Sequence, residues 1–326
     1  MKVLITGGSG FIGFHLAKFH ANKGDEILIL DNLFKAKEEI DTEFQELIEL
    51  SNVTFHKVDL TKEISLDVKG EFDFIYHLAA INGTKLFYEM PYELCLTNLL
   101  ITINFLKFLE AINFKKLIFS STSEVYAGAL EYGLMDVPTA EDVPVVFSQP
   151  TNTRFSYASS KFVSEYLCFQ FGKKFKRETS IIRYHNIYGP RMGFNHAVPE
   201  IILRMLNDEN PFKVIGADET RAFCYVEDAV EASYLVAKSN NTCDQIIHIG
   251  DQEAEINILE LTKLIKDVLG KDLQLIPSEG LPNSVKRRCP NTSKLRKLTN
   301  FKIKTGLIEG IKKSADWYRD YYGEKK

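Results

Sequence analysis

The run Val3-Leu4-Ile5-Thr6-Gly7-Gly8-Ser9-Gly10-Phe11-Ile12-Gly13 constrains this chain more than any other stretch. A short apolar strand pattern enters a glycine-rich turn, and the turn opens a helical pattern. Gly7 permits a tight turn, Gly10 lets backbone amides approach a ligand with no side chain between, and Gly13 allows the helix to pack closely. A helix beginning at such a turn offers unsatisfied N–H groups and the positive end of its dipole, which suits a pyrophosphate. Ser9, Phe11 and Ile12 belong to the same cradle.

The flanks decide whether the turn is an ordinary one. Short β-branched runs at Val3 to Thr6, Glu26 to Leu30, Val53 to Val58, Phe74 to His77 and Leu117 to Ser120 alternate with helical patterns, the rhythm of parallel strands with helical crossovers. Such strands build a doubly wound α/β sheet whose ligand crevice lies at their carboxyl ends. The second run ends at Asp31, whose carboxylate can accept both ribose hydroxyls of an adenosine and would repel a 2′-phosphate. Asn32, Leu33 and Phe34 follow it with no arginine beside them, so the reading is NAD and not NADP. Asp59 and Leu60 close the third run; Asp59 reads either as an acceptor for the adenine amino group or as a turn cap.

Tyr157 and Lys161 stand four apart and share a helix face. An ammonium beside a phenol favours the phenolate, moving a tyrosine with a free pKa of about 10 toward use as a general base. Tyr322 and Lys326 repeat the spacing at the end of the chain, where a solvated tail is the simpler reading. Context selects the first pair: Ser120-Ser121-Thr122-Ser123-Glu124-Val125-Tyr126 follows the fifth strand and enters the same crevice.

Taken in order, the glycine loop, Asp31, the Ser/Thr strand end and Tyr157-x-x-x-Lys161 resemble the extended short-chain dehydrogenase/reductase family over nearly the whole chain. His77-Leu78-Ala79-Ala80 and Asn98 make it similar to the NAD-dependent nucleotide-sugar epimerase/dehydratase branch. The resemblance implies a Rossmann-type doubly wound parallel sheet with a smaller C-terminal α/β substrate-binding lobe. It implies that Tyr157 takes the proton of a sugar hydroxyl while the C4 hydride passes to the nicotinamide. Lys161 would hold the nicotinamide ribose and lower the tyrosine pKa, and Thr122 would bond the reacting oxygen. Leu78, Ala79, Ala80, Asn98, Ser120 and Tyr184 join the expected cofactor contacts; Lys85, Asn186, Arg191, Val198, Arg221, Tyr225 and Arg288 are the expected contacts to a nucleotide-diphosphate sugar. The implied dimer seam pairs the helices around Phe87 to Leu109 and Phe155 to Lys174, with Phe105, Phe108, Phe162 and Tyr166 as its apolar surplus.

Two departures narrow the reaction. Dehydrating relatives carry Asp-Glu after the threonine, and this chain has Ser123-Glu124; without that acid, protonation of a departing C6 hydroxyl is disfavoured. Thr-Ser-Glu-Val-Tyr, with Arg287-Arg288-Cys289-Pro290 further on, resembles members that oxidise C4 of a uronic acid sugar and decarboxylate it. Tyr184-His185 replaces the usual Pro-x of the Arg-Pro-x-Asn-x-Tyr-Gly-Pro motif. A 4-dehydrogenase on a GDP-hexose or GDP-heptose, or a 4-epimerase, in surface-polysaccharide precursor synthesis is the leading expectation; a UDP-glucuronate decarboxylase or a 4,6-dehydratase is the alternative. Glu124 is then an acid or base, or a ligand of a sugar hydroxyl. A regulatory protein that only senses NAD is disfavoured by retention of Thr122, Tyr157 and Lys161.

Composition excludes other classes. A net charge of -4 over 326 residues argues against a nucleic-acid partner. Cys95, Cys168, Cys224, Cys243 and Cys289 form no Cys-x-x-Cys pair and read as buried free thiols. No histidine pair has metal-ligand spacing, so no metal is expected. The N-terminus lacks a signal-peptide pattern and the Leu94 to Leu109 stretch is broken by polar residues, giving a cytoplasmic expectation with no membrane span. The domains expected are 1–188 for the cofactor and 189–326, interleaved with it, mainly for the sugar nucleotide.

Overall fold

The β-branched runs form a seven-stranded sheet in the computed structural model, which describes residues 1–34, 41–280 and 284–323. Its strands are β1 (Lys2–Thr6), β2 (Glu26–Asp31), β3 (Val53–Lys57), β4 (Glu71–His77), β5 (Asn113–Thr122), β6 (Glu178–Tyr184) and the edge strand Gln245–Ile249. The helices of the first half are α1 (Phe11–Asn22), α2 (Thr42–Ile48), α3 (Thr84–Glu89), α4 (Pro91–Leu109), α5 (Ala127–Glu131) and α6 (Phe155–Phe175). Across the sheet the order is Gln245–Ile249, β6, β5, β4, β1, β2, β3. β1 pairs in parallel with β2 on one side and β4 on the other, with Leu4 opposite Leu28 and Ile75. The chain therefore winds outward from β1 in one direction, then crosses back and winds outward in the other. That reversal opens a crevice above β1 and β4, where ligands of such sheets sit.

Both faces of the sheet are covered, which is why its strands are continuously apolar: Val3, Leu4, Ile5, Ile29 and Leu30 are all at 0% exposure. Each such side chain contributes about 2 kcal/mol on burial. The sequence pattern suggests one helix over Phe87 to Leu109; the structure breaks it at Met90, with Pro91 opening α4. Proline has no N–H to continue the earlier turn but suits the first position of a new helix. α4 is long and apolar enough to cross a membrane; here it packs on α6. Its Asn104 Nδ2 donates to the Leu60 carbonyl at 3.2 Å.

The chain divides into two compact units. One comprises Met1–Val125, Phe147–Arg183 and Ser233–Ile247; the other comprises Tyr126–Val146, Tyr184–Ala232 and the chain from His248 on. A single boundary at 188 therefore does not separate them. Segment 233–247 returns to the first unit because Lys116 of β5, only 1% exposed, draws it in. Its Nζ donates to the carbonyls of Val236 and Ser239 at 2.9 and 2.8 Å and to Thr242 Oγ1 at 2.8 Å, an ammonium closing the carboxyl end of helix Val226–Lys238. Among the described residues the second unit holds three small sheets, one of them built from Glu255–Asn257, Thr220–Ala222 and Arg287–Arg288.

All five cysteines are free; Cys168, Cys224 and Cys289 are buried, whereas Cys95 and Cys243 are half-buried, less enclosed than expected.

Candidate active site

The glycine turn is the floor of the crevice. Gly7 has φ +75°, and a Cβ there would lie 2.7 Å from the Ala79 nitrogen; a Cβ on Gly13 would lie 2.1 Å from the Gly7 carbonyl oxygen. No side chain fits at either position, so the backbone stays bare. α1 starts at Gly10 without a side-chain cap, leaving the first-turn N–H groups for an anion. Gly7, Ser9, Gly10, Phe11, Ile12 and Gly13 line one continuous cleft. Asp31, Asn32, Leu60, Leu78, Ala79, Ala80, Ser120, Tyr157 and Lys161 line it too. Asp31 is 8% exposed and accepts from Ser9 N at 3.0 Å and Leu33 N at 2.7 Å, so the carboxylate is fixed at the rim. A bare backbone, free amides and a fixed carboxylate fit a dinucleotide with an unmodified adenosine ribose.

Two expected cofactor residues make local hydrogen bonds beside the cleft. Asp59 Oδ1 accepts from Thr61 N at 3.0 Å and Thr61 Oγ1 at 2.6 Å, and these bonds hold its pKa below the usual carboxylate value despite partial burial. It closes a turn, and Val58, Leu60 and Thr61 line the cleft around it. Asn98 is 3% exposed and bonds both backbone groups of Ile81, accepting from N at 2.8 Å and donating to O at 3.0 Å. It clamps the loop after β4; its neighbours Thr97 and Ile101 face the cleft. His77 is fully buried, 2.7 Å from Thr6 Oγ1 and stacked on Phe105 at 4.6 Å. Burial, reinforced by the Lys161 charge, lowers its pKa to about 3, so it is a neutral packing residue.

The reacting groups meet where β5 ends beside α6. Tyr157 and Lys161 share one face of α6, and Lys161 Nζ donates to the Ser120 carbonyl at 2.6 Å while lying 4.7 Å above the Phe119 ring. Tyr157 is 8% exposed and stacked on Phe87 at 5.2 Å. Burial pushes its pKa up, the Glu124 charge pushes it further, and side-chain hydrogen bonds from Asn82 and Thr122 pull it down. The sequence expectation of a phenol lowered by Lys161 is thus corrected for the chain alone: desolvation dominates. Thr122 Oγ1 also accepts from Glu124 N at 3.2 Å, Ser123 is buried at 4% exposure, and Glu124 Oε2 lies 3.6 Å from Arg154 Nη2.

Sequence reasoning missed four supports of this site. Asn82 and Phe87 come from the loop and helix after β4, Arg154 sits one turn before Tyr157, and Glu165 continues the 157/161 spacing by four. Glu165 accepts from Ser121 Oγ and from Arg183 Nε at 2.8 Å and Nη2 at 2.6 Å, tying the end of β5 to α6 and β6. The i+4 periodicity was the available signal for Glu165; Asn82 and Phe87 carry none.

In the second unit, the parallel pairing of Arg287–Arg288 with Thr220–Arg221 sets Arg288 directly beside Arg221. Arg221 Nη2 donates to Glu219 Oε2 and its Nη1 to the Thr220 carbonyl, both at 2.8 Å. Arg287, the other member of the Arg-Arg pair, is taken up by Glu255 at 2.7 and 2.9 Å. Asn186 has φ +42° and Arg191 φ +64°, and Asn186 Nδ2 donates to the Ala222 carbonyl at 3.3 Å. Two expected contacts are core residues of this unit: Val198 is 1% exposed, and Tyr225 is 3% exposed with its ring 5.7 Å from Tyr188. Both side chains are packed in the interior of the unit. Tyr184 ends β6 and falls in the second unit. The side chain of Lys85 lies outside the described residues. On the expected dimer face, Phe105 and Phe108 are core, at 0% and 9% exposure, whereas Phe162 and Tyr166 are 37% and 63% exposed.

A dinucleotide crevice ending at a Thr/Tyr/Lys constellation defines a short-chain dehydrogenase-type enzyme. The chain belongs to the NAD dependent epimerase/dehydratase family, whose description matches residues 3–250. It is similar to the UDP-N-acetyl-alpha-D-glucosaminuronate decarboxylase of Bacillus cytotoxicus, 31% identical over 328 residues and 98% of both chains. The UDP-glucuronate 4-epimerase of Thermodesulfobacterium geofontis is 27% identical over 97% of this chain and 96% of its own. The crystal structure of the UDP-glucuronic acid 4-epimerase from Bacillus cereus, in complex with UDP-glucuronic acid and NAD, superposes with a TM-score of 0.84. It is 26% identical and covers 99% of this chain and 100% of that one. The enzyme is NAD-dependent and of the nucleotide-sugar epimerase/dehydratase kind.

Proposed function

We propose that this enzyme oxidises C4 of a UDP-linked uronic acid and releases the C6 carboxylate of the resulting 4-keto acid as carbon dioxide. The observation that carries the reading is the end of β5, where Glu124 N donates to Thr122 Oγ1 at 3.2 Å and both side chains act on the Tyr157 phenol, with Ser123 between them. UDP is preferred here to the GDP of the sequence expectation because the similar proteins carry UDP-sugar names.

The chain's residues divide the work as follows. Thr122 holds the C4 oxygen and Tyr157 takes its proton, while the cleft excludes water around them. NAD, when bound, supplies the acceptor for the C4 hydrogen with its electron pair, and its oxidised ring adds positive charge favouring the phenolate. The ketone at C4 is β to the C6 carboxylate, so the C5–C6 bond can break with its electrons passing into the C4 enolate as carbon dioxide leaves. Protonation at C5 completes the step, and Glu124, with Ser123 beside it, is the group we assign to it. Asn186, Arg191, Arg221 and Arg288 are assigned to the diphosphate. Phe162 and Tyr166 are assigned to a homodimer seam.

A 4-epimerase shares the oxidation but needs no proton at C5; the likeness to the two UDP-glucuronate 4-epimerases supports it as the second reading. Tyr157→Phe tests the common step. Turnover of UDP-glucuronate falls about 100- to 10,000-fold with substrate binding retained; unchanged turnover sinks the mechanism.

A further inference from the structure

Arg154 is held by a built turn immediately before α6. Asn152 N donates to the Gln149 carbonyl at 3.0 Å, Phe155 N to the Asn152 carbonyl at 3.1 Å, and Arg154 N to Asn152 Oδ1 at 3.1 Å. Its backbone is already helical, at φ −55° and ψ −33°, so it stands three positions ahead of Tyr157 on a neighbouring part of the helix face. The guanidinium is 13% exposed and its one ion-pair contact among the described residues, Glu124 Oε2, is 3.6 Å away. That is beyond hydrogen-bonding distance. Arg183 and Arg287, in contrast, grip their carboxylates at 2.6–2.9 Å. Arg154 thus brings a fork of five N–H donors to the Tyr157 centre without closing it on a protein carboxylate.

We propose that Arg154 is the specificity-determining residue that binds the C6 carboxylate of the sugar. The inference rests on the uronic acid reading above. With C4 at Tyr157 and Thr122, the carboxylate hangs from the carbon next to C4 and arrives beside Glu124. Two carboxylates repel at that range, and a guanidinium with unfilled donors is the group that lets both stay. A sugar with a neutral hydroxymethyl group gives the fork nothing to bind, so Arg154 selects the acid over the alcohol. Bound in this way, the carboxylate also stays next to Glu124, the group assigned to C5.

The test is isothermal titration of UDP, UDP-glucose and UDP-glucuronate into NAD-loaded Tyr157→Phe, which binds without turnover, and into the same protein carrying Arg154→Lys or Arg154→Met, with thermal unfolding as a check on folding. Arg154→Met weakens UDP-glucuronate roughly 30-fold and UDP and UDP-glucose less than about threefold, while Arg154→Lys recovers part of the loss. Equal weakening of all three ligands would place Arg154 on the nucleotide and overturn the inference alone, as would an unchanged preference in Arg154→Met. A Tyr157→Phe parent that binds UDP-glucuronate no better than UDP-glucose overturns the uronic acid reading and the inference together.

Discussion

Replacing Arg183 with Met removes half of a buried ion pair and strands the other half. Arg183 and Glu165 are 2% and 3% exposed, joined through two contacts of 2.8 and 2.6 Å. At 3% exposure the carboxylate has little solvent to replace the lost donors. Breaking such a pair from one side costs about 3–5 kcal/mol, and for a chain of this length roughly 2 °C of Tm accompanies each kcal/mol, so Tm falls by about 6–10 °C. Exchanging both partners, Arg183→Met with Glu165→Leu, removes the stranded charge and regains more than half of the loss, because apolar replacement of a buried pair is often neutral. Glu165 also holds Ser121, between the Lys161 partner Ser120 and the Tyr157 partner Thr122. The single variant therefore loses kcat even at temperatures where it is folded. Calorimetry of the three proteins decides the point. A Tm within about 2 °C of wild type for the single variant, or a double variant no more stable than the single, would refute the reasoning.

His77 gives a pH signature: its pKa is lowered to about 3 by burial from 6.5, so between those values the unfolded chain binds a proton that the folded chain refuses. Stability is complete above about pH 6.5 and falls as pH drops, by up to about 1.4 kcal/mol per unit; His77→Asn flattens that slope in urea titrations at pH 7, 6 and 5. Asp31→Ala lowers NAD affinity about tenfold and narrows the preference over NADP, read by titration calorimetry; an unchanged preference would remove Asp31 from the cofactor site. Tyr166→Glu places a charge on the exposed face of α6 and shifts sedimentation from dimer toward monomer, whereas a wild type that already sediments as a monomer contradicts the seam.

The strands of the sheet were legible because their apolar runs are buried on both faces, a local pattern; their bounds moved by a residue or so, except for β4, which begins three residues earlier at Glu71, and β5, which extends from Asn113 to Thr122. The glycine turn and Asp31 were legible for the same reason, since loop, strand end and spacing are all near in sequence. Asp59 could be read two ways from the sequence, and its bonds to Thr61 show the turn cap. What the sequence did not reveal is long-range or environmental. The pairing that sets Arg288 beside Arg221 joins positions far apart in the chain, and the upward shift of the Tyr157 pKa arises from burial, which no spacing encodes. Arg154 lay in view, one turn from the tyrosine, but its significance depends on how far it stands from Glu124.

Mixing the NAD-loaded enzyme with UDP-glucuronate labelled with carbon-13 at C6 tests the central claim most directly. NADH absorbance rises on the first turnover together with release of labelled carbon dioxide, and neither signal appears in Tyr157→Phe. An absorbance change with the label retained in a C4 epimer would contradict decarboxylation, and no absorbance change in the wild type would contradict oxidation at C4 itself.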